Sequence, residues 1–243
     1  MKRIVVFYNG ERGKAVMTAL EETDNEVIES FTPATFPTPA RLRKLRPNLS
    51  VVAGFPIIFT KEMIDIPKYG TINCHAGPLP SYRGGSPLNW QIMNGAERLW
   101  VSVIQMDEGL DTGPILSQTS FPLGDSETIA DAHEKANIAF AEAVVSVVWL
   151  FENDVGQSNY VMPQNRYIEP QAPHYGTDQS CYEDCQTPKT WPQRDDDMGE
   201  ISPQTMTASE IHNKVRALTH PYPGAWIKAK DGKRVRIWKT TKE

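Results

Sequence analysis

The stretch INCHAGPLPSYRGG, residues 72–85, places an amide and an imidazole at the end of a short apolar run. Asn73 and His75 stand two residues apart, and a loop rich in glycine and proline follows, with the isolated cation Arg83 in it. In open α/β folds, ligands bind beyond the carboxyl ends of the strands. If the apolar run is such a strand, Asn73 and His75 lie where a site is expected.

The residues on both sides of this stretch alternate between strand-like and helix-like segments. Short apolar runs of the kind buried in parallel sheets predict strands in RIVVFY, NEVIESF, LSVVAGF, GTINCH, WVSVIQM and GPILSQTSF. Helices are expected between them, in residues 11–22 and in TPARLRKLRP, TKEMIDI and SPLNWQIMNG. This alternation predicts a Rossmann-like, doubly wound α/β fold with a mostly parallel sheet.

The first 152 residues form the main α/β segment of this prediction. It ends with a long amphipathic helix that runs to Glu152, and Ser126 is the candidate N-cap. Residues 153–206 are rich in Pro, Gln, Asp and Tyr and lack strong periodicity. They predict a mostly irregular connecting segment that wraps on the first domain.

Residues 207–243 predict a small C-terminal unit. Thr207 and Glu210 have the spacing of a capping box, which predicts the start of a last helix. The dipeptide Asp231-Gly232 between two apolar segments is a strong hairpin signal. We therefore expect one helix and one β-hairpin, and the hairpin is a candidate element of a homodimer.

Composition excludes several classes of protein. The 243 residues are 40% apolar and 23% charged, which is typical of a globular protein, and the net charge of −5 argues against a general nucleic-acid binder. Without a membrane-length apolar run or a signal-like N-terminus, we expect a cytoplasmic protein with no membrane partner. Cys74, Cys181 and Cys185 give no disulfide framework, and with His174 they do not favour zinc, so no metal is expected.

A second polar stretch, MDEGLDTGPIL at residues 106–116, sets Asp111 in a loop with flanking glycines. An aspartate near a histidine can hold the imidazole in one tautomer and favour its charged form. An asparagine can donate its amide hydrogens to an oxyanion. Together, Asn73, His75 and Asp111 suit acyl transfer to a nucleophile from which a proton must be removed.

The run INCHAGPLPSYRGGSPLNWQIMNGAERLWVSVIQMDEGLDTGPIL, residues 72–116, resembles the core of the folate-dependent formyltransferases. Members show Asn-x-His-x-x-x-Leu-Pro, a Tyr-Arg-Gly turn and a later Asp-x-Gly loop. The resemblance covers residues 1–150 and extends weakly through TWPQRDDDMGEI and VRALTHPYPGAW. It implies that residues 1–152 are the catalytic domain and that Asn73, His75 and Asp111 are the catalytic triad. One departure is HAGPLP, where His-Pro-Ser or His-Gly-Ser is commoner before Leu-Pro.

The resemblance also implies the formyl donor, N10-formyltetrahydrofolate, and a reaction that requires no metal. Its pterin is expected between the loop GFPIIF and the loop MDEGLDTG. The folate-binding residues implied in this way are Phe55, Ile57, Ile58, Met106, Glu108 and Leu110. His75 is then expected to take the proton of the acceptor amine, Asn73 to stabilise the oxyanion and Asp111 to orient His75.

Several acceptors are compatible with this resemblance. The most similar class is the sugar N-formyltransferases, which act on nucleotide-linked amino deoxysugars and imply a place in lipopolysaccharide O-antigen biosynthesis. Its diphosphate or base is expected to meet Arg12, Lys14, Tyr82, Arg83, Trp191 and Arg194. The other acceptors are methionyl-tRNA and glycinamide ribonucleotide. Two further alternatives are a formate-releasing hydrolase of formylfolate and a non-catalytic folate- or nucleotide-binding protein.

Overall fold

In the part of the chain that the structure describes, six strands form one sheet, and four shorter ones form two small ribbons. The structure, a computed structural model, describes residues 2–152 and 187–242. The strands are β1 Arg3–Tyr8, β2 Glu26–Phe31, β3 Leu49–Ala53, β4 Thr71–His75, β5 Arg83–Gly84, β6 Arg98–Gln105, β7 Ile115–Pro122, β8 Thr190–Trp191, β9 Ala225–Lys228 and β10 Arg234–Ile237. The α-helices are α1 Gly10–Glu21, α2 Pro39–Leu45, α3 Lys61–Ile64, α4 Pro87–Met93, α5 Ile129–Glu152 and α6 Ala208–Leu218.

The main sheet has the strand order β2-β1-β3-β4-β6-β7. Strands β1 to β4 are parallel, whereas β6 is antiparallel to β4 and β7 is antiparallel to β6. The predicted Rossmann-like, mostly parallel sheet is therefore confirmed. The chain goes from β1 to β2 on one side and then crosses to β3 on the other side. The carboxyl ends of β1 and β3 thus form the switch point at which such folds bind ligands.

The two faces of the sheet are buried against different elements, because successive strand residues point to opposite faces. On one face, which we call the helical face, the strands pack against α1 and α5 through Ile4, Val6, Val51, Ile72 and Cys74. On the other, which we call the aromatic face, Val5, Phe7 and Val52 pack with Phe31, Phe59 and partly buried Phe36 and Phe55.

The long helix α5 begins later than the sequence predicts. Its first turn closes where Ala132 N–H donates to Thr128 O at 3.0 Å, so Thr128 and not Ser126 occupies the N-cap. The Asp131 carboxylate accepts from Thr128 N at 2.7 Å and from Thr128 Oγ1 at 2.9 Å. In the turn before the helix, the Glu127 carboxylate accepts a hydrogen bond from Gly124 N at 2.6 Å. The prediction of Ser126 as the cap is wrong for this reason.

The C-terminal helix and hairpin form as predicted. Thr207 and Glu210 make both bonds of the capping box at the start of α6. Strands β9 and β10 are antiparallel, and Gly232 between them has a φ of 84°, which glycine adopts without strain. The Asn89 amide of α4 donates to Ala217 O at 2.7 Å and ties α6 to the main domain. The division of the chain at residues 152 and 206 stays a prediction.

Some sequence predictions concern what the chain lacks or lie outside the described residues. Among the described helices, none is both long and apolar enough to cross a membrane. Residues 2–152 and 187–242 contain no group of three or more His, Cys, Asp or Glu arranged to hold a metal ion. Cys181, Cys185 and His174 fall outside these ranges, whereas Cys74 is a buried thiol whose pKa is raised by burial to about 12. Homodimer formation stays a prediction.

Candidate active site

Strand β4 places Asn73 and His75 side by side at the carboxyl edge of the sheet. Residues two apart on a strand share a face. Since Asn73 is in register with Val52 and alternates with Ile72 and Cys74, that face is the aromatic face. The His75 side chain is buried, with only 6% of its surface exposed. The strand thus presents an amide and an imidazole together, as the sequence spacing suggested.

The loop after His75 is held by buried polar side chains that sequence reasoning missed. Gln91 Nε2 donates to Ala76 O at 3.0 Å, and Ser102 Oγ donates to Gly77 O at 2.7 Å. Gln118 Nε2 in turn donates to Ser102 Oγ at 2.9 Å. A buried loop needs such donors because its carbonyl groups are cut off from water. Gln91 and Ser102 are fully buried, which fixes the position of the loop relative to β4.

The two ring nitrogens of His75 face groups of different chemistry. Nε2 lies 2.5 Å from the backbone oxygen of Tyr82, and Nδ1 lies 3.4 Å from Asp111 Oδ2. A carbonyl oxygen only accepts hydrogen bonds, so Nε2 carries the hydrogen of the neutral ring. That tautomer leaves the lone pair on Nδ1, next to a carboxylate. His75 is therefore arranged to accept a proton at Nδ1.

The environment of His75 keeps the ring neutral before that proton arrives. Burial lowers its pKa, and the nearby Arg12 guanidinium lowers it further. The Asp111 carboxylate and the hydrogen bond to Tyr82 O act in the opposite direction, since both stabilise the imidazolium. The net direction is downward. The ring is thus a free base at neutral pH, and the imidazolium has two stabilising partners when it forms.

Asp111 reaches His75 because its loop folds back over the sheet. The loop leaves β6 beside the start of β4, where Met106 N–H donates to Thr71 O at 2.7 Å. Asp111 has a φ of 51°, in the left-handed region that few non-glycine residues adopt. Gly84 N donates to Asp111 Oδ2 at 2.9 Å, and Arg83 Nε donates to Asp111 O at 3.1 Å. The Tyr-Arg-Gly turn therefore fixes both the backbone and the carboxylate of Asp111.

The Asn73 amide lies beside this pair with no partner of its own. Across residues 2–152 and 187–242, its side chain makes no hydrogen bond, although the residue is half-buried. A half-buried amide with free donors can serve an external oxygen atom. Together with His75 and Asp111, it gives one face of the sheet a base, a group that orients it and an oxyanion donor.

The residues predicted to bind folate lie on two loops next to the aromatic face. Phe55 packs against Phe7, Phe36 and Phe59 with ring centroids 5.6–6.0 Å apart, and Met106 is packed against the same cluster. In contrast, the other side chains point at least partly to solvent. Ile58 is 90% exposed, Leu110 is 59% exposed, Ile57 is half-buried, and Glu108 lies 3.5 Å from Lys61 Nζ on the surface.

The structure divides the residues predicted to bind a sugar nucleotide into two groups. Four of them already have other partners. Lys14 is exposed and pairs with Glu11 at 2.7 Å, and Arg83 holds Asp111 O. Trp191 stacks on Tyr82 with centroids 5.4 Å apart and donates from Nε1 to Ser81 O at 3.0 Å. These four residues therefore brace the site loops or lie on the surface.

Arg12 and Arg194 form the second group, and both lie next to residues that the sequence did not single out. The Arg194 guanidinium lies 4.6 Å from the ring centroid of Tyr222, whose hydroxyl is 3.0 Å from His133 Nε2. Arg12 is close enough to His133 and Tyr222 to change the pKa of each. This cluster is visible only in the folded chain, where α1, α5 and the HPYPG segment at residues 220–224 lie close together.

Comparison with known proteins agrees with this chemistry. Residues 11–148 match the family described as formyl transferase, and residues 195–243 match the family described as formyl transferase, C-terminal domain. A methionyl-tRNA formyltransferase of Desulforamulus reducens is 30% identical over 200 residues, which cover 82% of this chain and 55% of that protein. The chain thus spans little more than half the length of this curated relative.

Two solved structures are similar to the whole chain. A 4-N formyltransferase from Francisella tularensis aligns with a TM-score of 0.72 and 18% identity, over 99% of this chain and 98% of the other. HypX from Aquifex aeolicus in complex with tetrahydrofolic acid aligns with a TM-score of 0.63 and 20% identity, over 98% of this chain and 37% of the other. These likenesses show a shared fold. Since the first family match covers more than half of the 243 residues, the chain belongs to the formyl transferase family.

Proposed function

We propose that this chain transfers a formyl group from N10-formyltetrahydrofolate to the primary amine of a nucleotide-linked amino sugar. The observation that supports it most is the arrangement of His75, Asp111 and Asn73. An unprotonated Nδ1 lies 3.4 Å from a carboxylate, and a free amide stands two residues away on the same strand face. Acyl transfer to an amine needs a group that removes a proton and a donor for the developing oxyanion.

The surface beside the triad fits a folate. Ile58 and Leu110 expose apolar side chains on two loops that flank the half-buried Phe55 and Met106. An exposed apolar surface next to unpaired polar groups is typical of sites for flat heteroaromatic ligands. We assign the pterin to this surface and include Ile57 and Glu108 at its edge. When bound, the donor supplies a formyl group that is already activated for transfer.

The residues of the chain then act in a defined order. The acceptor amine must be neutral to attack, and Nδ1 of His75 takes the proton that the amine loses. The imidazolium so formed keeps its bond from Nε2–H to Tyr82 O and gains an ionic bond to Asp111. The Asn73 amide donates to the oxygen on which negative charge develops. Loss of one such donor costs about 100- to 1000-fold in rate.

The choice of a nucleotide sugar as acceptor rests on the cations near His75. In such a substrate, one sugar ring separates the amine from a diphosphate, so a compact cationic pocket beside the base would bind it. The candidates for that pocket are Arg12, whose charge acts on His75, and Arg194, which packs on Tyr222. Arg12 and Arg194 therefore stay in our proposed acceptor site. The other four predicted residues, Lys14, Tyr82, Arg83 and Trp191, lie outside it.

A second acceptor, methionyl-tRNA, is favoured by two observations. The Desulforamulus relative is named for that activity, and residues 207–243 carry nine Lys and Arg against three Asp and Glu, a net charge of +6. The overall charge of −5 conceals this basic unit. A nucleic acid binds mainly through its phosphates to such a surface, so this acceptor would show a steep dependence on salt concentration.

A formylation assay separates the two acceptors. Purified protein is incubated with N10-formyltetrahydrofolate and either a panel of nucleotide-linked amino sugars or methionyl-tRNA. We expect turnover with at least one amino sugar and not with the tRNA. Turnover with methionyl-tRNA alone would replace the first proposal by the second. Absence of transfer to any amine, in folded protein that binds folate, would overturn the proposed function.

A further inference from the structure

Arg12 and Arg194 lack the carboxylate partners that several other arginines of the chain have. Arg3, Arg43, Arg234 and Arg236 pair with carboxylates at 2.6–3.3 Å. Within the described part of the chain, neither Arg12 nor Arg194 forms such a pair, and Arg12 Nε is buried without any hydrogen-bond acceptor. A buried guanidinium without an anion is costly, so an unpaired one beside a site indicates a place for an anionic ligand.

Both guanidinium groups lie against aromatic rings that hold them in position. Arg12 lies 5.1 Å from the ring centroid of Phe140 on α5, and Arg194 lies 4.6 Å from that of Tyr222. The Tyr222 hydroxyl is 3.0 Å from Nε2 of His133, also on α5. Stacked guanidinium groups keep their N–H edges free for oxygen acceptors. Arg194 Nη1 donates to Asp195 O at 3.2 Å, and the other N–H groups of the two guanidinium groups are the donors that the cluster offers.

The electrostatics of the neighbours show how close Arg12 lies to the rest of the cluster. Burial and, to a smaller extent, the charge of Arg12 lower the pKa of His133 to about 4. Burial raises the pKa of Tyr222, whereas Arg12 and then Arg194 act to lower it. Arg12 also acts on His75, as described above. The charge of Arg12 thus acts on both the base and the cluster.

The place of this cluster in the fold also suits an acceptor. Arg12 lies in the first turn of α1, directly after β1 and beside Gly54 at the end of β3, so it stands at the switch point of the sheet. Helices α1 and α5 cover the helical face, opposite the aromatic face on which the folate loops lie. An acceptor phosphate bound there would lie on the face opposite the folate loops, so the two substrates would not compete for that space.

We propose that Arg12, Arg194, His133 and Tyr222 form a binding site for a phosphate or diphosphate group of the acceptor substrate. This proposal rests on the proposed transfer to a phosphate-bearing amine, and it specifies where that acceptor is anchored. The two guanidinium groups supply the charge, and the Tyr222 hydroxyl and the His133 ring add uncharged polar contacts. His133 and Tyr222 are new members of the site, while Lys14 and Arg83 are not part of it.

Direct binding of inorganic pyrophosphate tests the site without folate or acceptor. Calorimetric titration of the purified protein should show binding that Arg12→Gln and Arg194→Gln each weaken about ten- to a hundred-fold, as expected for a charge-assisted contact to phosphate. Tyr222→Phe should weaken it less. The control is Arg41→Gln, which removes an exposed cation of α2 paired with Glu29 and should leave pyrophosphate affinity unchanged.

The outcomes are separable from those of the formylation assay. Arg12→Lys retains the charge and should recover part of the affinity, which distinguishes an anion contact from a loss of packing on Phe140. Absence of pyrophosphate binding by the wild type, equal binding in Arg12→Gln, Arg194→Gln and the wild type, or the same loss in Arg41→Gln, would overturn the phosphate site. Formyl transfer could still occur in that case. Conversely, a protein that binds pyrophosphate through Arg12 and Arg194 but transfers no formyl group would refute only the proposed function.

Discussion

His75 is the residue on which the proposed chemistry depends, because its two nitrogens are committed to different partners. Replacement by asparagine removes the group that accepts the proton and leaves a side chain of similar polarity. We expect His75→Asn to fold, as judged by an unchanged circular dichroism spectrum, and to lower kcat by at least about 100-fold. Near-normal turnover in the folded variant would show that another group removes the proton.

Asp111 should control the pH dependence of turnover. His75 must be neutral to accept a proton, so activity rises as pH increases through the pKa of His75. The Asp111 carboxylate raises that pKa against the effect of burial. In Asp111→Asn the pKa of His75 falls, so the acidic limb of the kcat/KM profile should move to lower pH while the plateau drops. A limb that moves to higher pH contradicts this arrangement.

For single residues, the sequence predicts which side chains carry the chemistry better than it predicts which residues contact one another. The spacing of Asn73 and His75 and the glycines around Asp111 are visible in the sequence, because strand geometry and loop formation are local properties. The Tyr82 carbonyl that selects the tautomer is also near in sequence, but a backbone group carries no residue signature. The contact between Arg194 and Tyr222, and that between His133 and Tyr222, join distant segments and could not be predicted from spacing.

Among the elements, the short pair β5–β8 deserves a test because it holds the Tyr-Arg-Gly turn. Trp191 was predicted to stack on a substrate, yet it packs on Tyr82 and Trp90 and bonds to Ser81 O. Trp191→Ala should therefore lower kcat, by loosening the loop that positions Asp111. The KM for the acceptor should change little. A large rise in acceptor KM with unchanged kcat would support the original stacking role.

Trp191→Phe is the matched control for that experiment. It keeps an aromatic ring against Tyr82 but loses the hydrogen bond from Nε1 to Ser81 O, which contributes about 1 kcal/mol to stability, and part of the packing of the indole on Trp90. Its kcat should lie between those of the wild type and Trp191→Ala. The same order is expected for the midpoints of thermal unfolding.

Helix α5 should make the protein sensitive to mild acid through His133. Its pKa is about 4 in the folded state and 6.5 ordinarily, so between these values the unfolded chain holds more protons. The resulting stability is present above pH 6.5 and is lost as pH falls toward 4, up to about 3 kcal/mol. Urea unfolding of His133→Gln should show a smaller loss of free energy between pH 6.5 and 4.5 than the wild type. Equal losses contradict the assignment.

Most helices and strands were predictable from the sequence, since apolar periodicity marks their interiors and turn residues lie between them. The capping box at Thr207 and Glu210 and the Asp231-Gly232 turn formed as predicted because both are local motifs. The start of α5 was misplaced, because Ser126, Glu127 and Thr128 can all serve a helix start. The Glu127 carboxylate accepts from Gly124 N–H, and Thr128 serves as the N-cap.

At the scale of the whole molecule, charge is distributed unevenly, so the net charge of the chain does not describe the charge of each part. The chain carries −5, yet residues 207–243 carry +6, so the remainder is strongly acidic. The sequence predicted no nucleic-acid partner from the net value. The net charge does not describe the basic C-terminal unit, and this unit keeps methionyl-tRNA as the second candidate acceptor.

The dependence of the acceptor KM on salt concentration distinguishes a nucleotide-linked sugar from methionyl-tRNA. A compact diphosphate held by two arginines gives a shallow slope of log KM against log salt concentration. A tRNA bound over the C-terminal unit gives a slope several times steeper, because each neutralised phosphate releases counterions. The slope is best measured with whichever acceptor is turned over, using Arg41→Gln as the control for general charge effects.

The central claim is that this site moves a formyl group from N10-formyltetrahydrofolate to an amine through His75. The most direct test is one measurement, the rate of tetrahydrofolate release by wild type and His75→Asn with and without a nucleotide-linked amino sugar. We predict release by the wild type that requires the amino sugar and equals the formylated product, with at least about 100-fold less in His75→Asn. Release that is equal with and without the amino sugar, or equal in the two proteins, would contradict the account.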